Sequence, residues 1–106
     1  MQKGKILGQA APGPTVLEPV YVVPPNTMTA FNIYICNRDV ADDYFSIALV
    51  PSGQNLDLLH YVAYNCKLNI GEIISFNGIT MTDGDIIYVS NQNGSCSFTV
   101  TGLENS

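Results

Sequence analysis

Between Ala30 and Cys36 the side chains alternate in character: Phe31, Ile33 and Ile35 fall on one side of an extended chain, Asn32 and Tyr34 on the other. The same period of two recurs from Tyr44 to Val50, where Phe45, Ile47 and Leu49 form the apolar set. It returns where Cys96, Phe98 and Val100 alternate with Ser97, Thr99 and Thr101. These are strands with one dry and one wet face. Four further stretches, Leu17 to Val23, Leu58 to Cys66, Glu72 to Phe76 and Asp85 to Ser90, have apolar neighbours on both faces. Such strands either lie centrally in a sheet or turn their second face to another subunit. No longer stretch carries apolar positions at helical spacing, so any helix is a single turn.

Turn residues separate these strands. Asn77-Gly78, Asp83-Gly84 and Asn93-Gly94 supply the positive φ that tight hairpins need, so the last 35 residues read as a meander. Pro24-Pro25-Asn26 and Pro51-Ser52-Gly53 mark two more loops, because proline fixes φ and cannot donate to a ladder. Seven or eight short strands predict an all-β fold, a two-sheet antiparallel β-sandwich of jelly-roll or Ig-like type, with a small barrel as the alternative. The sandwich domain covers residues 17–106. Residues 1–16, with Gly4, Gly8, Pro12, Gly13 and Pro14, read as an extended N-terminal arm. Its Ile6, Leu7 and Val16 are apolar enough to dock on a neighbouring subunit by strand addition, the other reading being a frayed terminus.

Composition narrows the function. At 106 residues the chain can fill one core, and 46% hydrophobic against 12% charged residues exclude a disordered tail. Nine acids against four Lys and Arg give a net charge of −5 with no basic cluster, which argues against a nucleic-acid partner. The apolar runs are far shorter than the roughly 20 residues that cross a bilayer. Lys3 and Lys5 are followed by Gln9, Pro12 and Pro14 rather than by an apolar run, so neither a membrane span nor a signal peptide is expected. Cys36, Cys66 and Cys96 are an odd set with no CxxC pair and no nearby histidine. They read as small buried hydrophobes; the alternative, Cys36 paired with Cys66 or Cys96, would need an oxidising compartment.

Candidate chemistry is sparse. Asp83-Gly84-Asp85 and Asp42-Asp43 are the only acidic concentrations, and Asp and Gly there serve turns better than a cation. His60, the only histidine, has no serine or cysteine motif to activate. No catalytic residue, metal ligand or cofactor is predicted, and the chain is not expected to be an enzyme. The six tyrosines, Tyr21, Tyr34, Tyr44, Tyr61, Tyr64 and Tyr88, exceed what one core needs. Tyr34, Tyr44 and Tyr64 point away from the inward face, where a flat ring with a polar tip suits a subunit interface or the stacking of a sugar. The interface candidates are therefore Ile6, Leu7, Val16, Tyr34, Tyr44 and Tyr64.

In order along the chain, Gly4 to Pro12 (GKILGQAAP), Tyr21-Val22-Val23-Pro24, Ile33 to Arg38 (IYICNR), Phe45 to Leu49, Tyr61 to Tyr64, Gly84 to Val89 and the final Phe98 to Gly102 strand form a pattern. It resembles a family of small all-β virion structural proteins of tailed bacteriophages, especially phages of cyanobacteria and related marine hosts. The resemblance implies a non-enzymatic surface subunit of the tail, fibre or baseplate, or a capsid decoration protein. It further implies a homo-oligomer that contacts other virion proteins and is assembled in the host cytoplasm. The alternative function is a glycan-binding module that touches the host surface.

Overall fold

In the computed structural model, which describes residues 4–105, the alternating stretches become eight strands. They are β1 (Lys5–Ala10), β2 (Glu18–Val22), β3 (Met28–Asn37), β4 (Asp43–Val50), β5 (Tyr61–Leu68), β6 (Ile73–Thr82), β7 (Ile86–Asn91) and β8 (Cys96–Asn105). Two four-stranded sheets have the orders β1-β8-β3-β6 and β2-β7-β4-β5, and every pairing is antiparallel. Only β4 and β5 are consecutive neighbours; every other connection crosses from one sheet to the other. Eight strands interleaved this way make the jelly roll rather than the Ig-like form of the sandwich.

The apolar sets meet between the sheets. Phe31, Ile33, Ile35, Phe98 and Val100 from the first sheet pack against Phe45, Ile47, Leu68, Ile87 and Val89 from the second, all essentially inaccessible to water. Polar links cross this core at both ends. At one end the Tyr21 hydroxyl on β2 donates to Glu104 on β8 and shares a 3.0 Å hydrogen bond with Thr29 on β3. Glu104 also takes an ion pair from Lys5 at 2.7 Å. At the other end Asn37 of β3 donates to the Leu68 carbonyl of β5 at 3.0 Å, and the Cys96 N–H of β8 donates to Asn91 of β7 at 2.9 Å.

Four expectations change. The last 35 residues are not a meander, because β6, β7 and β8 alternate between sheets; a tight turn closes a corner of the sandwich as readily as a hairpin. Asn77-Gly78 ends no strand: it lies inside β6 as a bulge, where Gly78 has φ 72° and its N–H donates to Asn32 Oδ1 at 3.1 Å. The stretch from Leu58 begins with a single 3-10 turn, Leu58–His60, capped by Asp57, and only then becomes β5. Residues 5–10 of the expected arm pair with β8 of their own chain and form a sheet edge. Weak propensity there is outweighed by the ladder and by the burial of Leu7 and Ala10 against the core.

Gly8 explains how that edge closes. Here β1 passes so near β2 that a Cβ on Gly8 would lie 2.0 Å from the Val20 carbonyl oxygen. The missing side chain lets two edge strands of opposite sheets touch. Gly8→Ala is therefore expected to lower stability by about 1–3 kcal/mol, the usual scale of overpacking, measured as a fall in the urea midpoint. An unchanged midpoint would show that β1 does not sit against β2.

Candidate functional site

The outward side of the second sheet is not flat. Ser46 of β4 and Ser90 of β7 are direct partners at the centre of it, and their small side chains leave a floor that larger neighbours surround. A bulge in β5 builds one wall: Phe45 faces Cys66 and Ile47 faces Ala63, so two residues, Tyr64 and Asn65, stand opposite Ser46 alone. Asn65 takes φ 48°, a conformation asparagine tolerates, and its N–H donates to Ser46 Oγ at 2.9 Å. Tyr61 packs edge-on against Tyr64, with ring centroids 4.9 Å apart, and steadies it.

Tyr44, Gln92 and Thr15 complete the rim of a cleft of about 210 Å³. Gln92 N–H donates to the Tyr44 carbonyl at 2.9 Å and Thr15 N–H to the Asn91 carbonyl at 2.8 Å, so backbone bonds set the rim. Among the described residues, no lining side chain is charged. Among the described residues, the phenols of Tyr44, Tyr61 and Tyr64, the Ser90 hydroxyl and the side-chain amides of Asn65 and Gln92 make no hydrogen bond within the chain.

The carboxylate beneath this rim is Asp43, which is fully buried. Its Oδ1 accepts from the N–H groups of Tyr44 at 2.7 Å and Asn93 at 2.8 Å. Its Oδ2 accepts from Ser95 N–H at 3.0 Å and Ser95 Oγ at 2.8 Å. Burial pushes its pKa up, but those four bonds outweigh burial and hold the carboxyl below its ordinary range. The neighbouring Cys96 thiol is pushed up to about 12, first by burial and then by the Asp43 charge, which keeps it a neutral thiol. Cys36, Cys66 and Cys96 are all free, Cys96 buried and the other two half-buried.

The interface candidates do not form one surface. Ile6 and Tyr34 lie exposed on the first sheet, whereas Tyr44 and Tyr64 lie on the second, in the cleft. Val16 is exposed in the loop after β1, and Leu7 packs against the core instead of reaching outward. Tyr21, counted among the surplus tyrosines, is a buried link between sheets. The acidic groups stay apart: Asp85 accepts from the N–H groups of Ser52 and Thr82 at the Val50 end of β4, and Asp43 begins the same strand. His60 is buried; Nδ1 accepts from Asp57 N–H at 2.9 Å, so the Nε2 proton faces Gln54 Oε1 at 3.0 Å. No group of three or more metal-ligating side chains occurs among the described residues, and no helix there is long and apolar enough to cross a membrane.

Sequence reasoning missed Tyr61, Ser46, Ser90, Asn65 and Gln92 as lining residues. The available signal was a pair of serines at outward positions of otherwise apolar strands, and an asparagine inside a strand pattern.

Asp43→Asn would turn an amide N–H toward backbone N–H groups that can only donate, and is expected to cost ~2–3 kcal/mol at neutral pH in urea denaturation. The acid dependence follows from the depressed pKa values. Asp43 and Glu104, the latter lowered by the hydrogen bonds from Lys5 and Tyr21, bind protons less readily folded than unfolded. Their contribution is complete above the ordinary values of 3.8 and 4.5 and is lost as the pH falls through the lower folded values. The Asn variant should therefore lose less stability on acidification than the parent; equal losses would contradict the role given to Asp43.

Comparison with protein-family models, with curated proteins and with solved structures gives no match to this chain.

Proposed function

We propose that the chain is a non-enzymatic structural subunit of a bacteriophage particle, a surface component of tail, fibre or baseplate or a decoration of the head, built in through β-sheet contacts. The observation that carries this reading is β6. Of the four sheet edges, β1 carries Lys5, β2 carries Glu18 and Pro19, and β5 carries Lys67. Charge and proline are how folded chains protect an edge from adding a foreign strand. Across its ten residues β6 has neither, and only the Asn77-Gly78 bulge interrupts it.

The outward face immediately beside β6 is uncharged as well. Tyr34 and Cys36 of β3 stand next to Ser75 and Ile73 of β6, with Ile73 68% exposed. Farther along the same face a shallow groove of about 650 Å³ is lined by Ala30, Gly102, Ile6 and Leu103, with Lys5 of β1 the one charged residue among its described lining. Two copies related by a two-fold axis could pair β6 with β6 and cover this surface. The resemblance to phage virion proteins supplies the setting, and jelly rolls recur in viral capsid domains, a fold-level analogy that adds weight without fixing the role.

Ser75 and Thr80 point outward from β6. The parent chain is expected to self-associate in light scattering, and the double variant Ser75→Lys, Thr80→Lys to be monomeric with stability unchanged within about 0.5 kcal/mol. A parent that stays monomeric at high concentration would remove the β6 contact. Antibody labelling of purified phage particles should find the chain on their surface, and its absence there would overturn the particle assignment.

A further inference from the structure

We infer that the tyrosine-walled cleft on the second sheet is a binding site for one neutral pyranose ring of a glycan. The inference goes beyond the particle assignment and does not depend on it, since β6 and the cleft belong to different sheets.

A sugar ring has one patch of C–H groups and a rim of hydroxyls. It is recognised by aromatic surface against the patch and by neutral hydrogen-bonding groups around the rim. The cleft offers both. Tyr44 from β4 and the Tyr61–Tyr64 pair from β5 line it with aromatic rings, with Tyr44 36% and Tyr64 58% exposed. The same lining holds the Ser90 hydroxyl and the side-chain amides of Asn65 and Gln92, all without hydrogen-bond partners in the chain among the described residues. A carboxamide both donates and accepts, as each sugar hydroxyl does, so the pairing is matched in kind.

Size and charge narrow the ligand. At about 210 Å³ the cleft lies below the roughly 300–1,000 Å³ of sites that enclose a drug-sized molecule, and one ring fits it better than a flat protein surface would. Its lining is uncharged in a chain of net charge −5, so an acidic sugar or a phosphate would find no cation there. The walls are also held before any ligand arrives. Asp43 fixes the backbone of Tyr44, the Gln92 N–H is bound to the Tyr44 carbonyl, and Ser46 fixes the bulge at Asn65. A rim set in advance loses little entropy on binding.

The test is a titration of the labelled chain with the methyl glycosides of D-glucose, D-galactose, D-mannose and N-acetyl-D-glucosamine, followed by amide chemical shifts. At least one should bind with millimolar affinity and shift the amides of Tyr44, Ser46, Asn65, Ser90 and Gln92. Tyr64→Ala should weaken that binding by about tenfold. Ser90→Leu, which fills the floor from an outward position, should abolish it while leaving the fold intact. Tyr34→Ala, on the other sheet, should leave it unchanged. The inference is overturned if none of the four glycosides shifts these amides, or if the shifts survive Ser90→Leu undiminished. It is overturned equally if the same amides respond only to dilution of the protein, which would make the cleft a contact between copies. A failed titration leaves the particle labelling and the light scattering untouched, so the two claims fail separately.

Discussion

A single buried carboxylate ties the two sheets together at the end where the cleft forms. Asp43 has no ion-pair partner among the described residues; three backbone N–H groups and one hydroxyl take that place. Removing a carboxylate from water costs several kcal/mol, and only a full set of donors can offset it. The donors come from the start of β4 and from the turn between β7 and β8. That turn cannot move without stranding a charge. Tyr44 and Gln92 take their positions from the same arrangement, and so the rim of the cleft follows from it.

The opposite end of the sandwich is closed by a different device. The Tyr21 phenol, pushed up to about 12 chiefly by burial and by its bond to Glu104, remains a donor over all ordinary pH and spans from β2 to β8. Between the two polar ends the interior is aliphatic and phenylalanine-rich. Because both ends and the middle are held from within, the outward faces do little to join the sheets, although Ser46 and Asn32 there still fix the two bulges. The uncharged edge of β6 and the serine-floored cleft are where that freedom shows.

Much of this was legible in the residues. Alternation located β3, β4 and β8, since a period of two with β-branched and aromatic residues has one physical outcome, an extended strand; β3 and β8 are half in water, but β4 is central and Ser46, Ala48 and Val50 are buried too, so its expected wet face is absent. The choice between jelly roll and Ig-like form was not legible, because Asp83-Gly84 and Asn93-Gly94 turn the chain the same way whether the next strand stays in the sheet or crosses. The strand at residues 5–10 was hidden by Gly8, which lowers strand propensity for the same reason that it permits β1 to touch β2. As for the cleft, Tyr44 and Tyr64 could be picked out as outward-facing. Their convergence depends on a one-residue bulge at Asn65 and on a register pairing Ser46 with Ser90, and both are set by tertiary contacts.

The rim of the cleft depends on Asp43 holding a surface turn as firmly as the core holds its strands. Native-state amide hydrogen exchange reads this directly, since the N–H groups of Asn93 and Ser95 lie in a turn that would otherwise open freely. They are predicted to exchange as slowly as the amides of Ile47 and Val89, through global unfolding alone. Exchange at the rate of an ordinary exposed turn, with the core strands still protected, would contradict it.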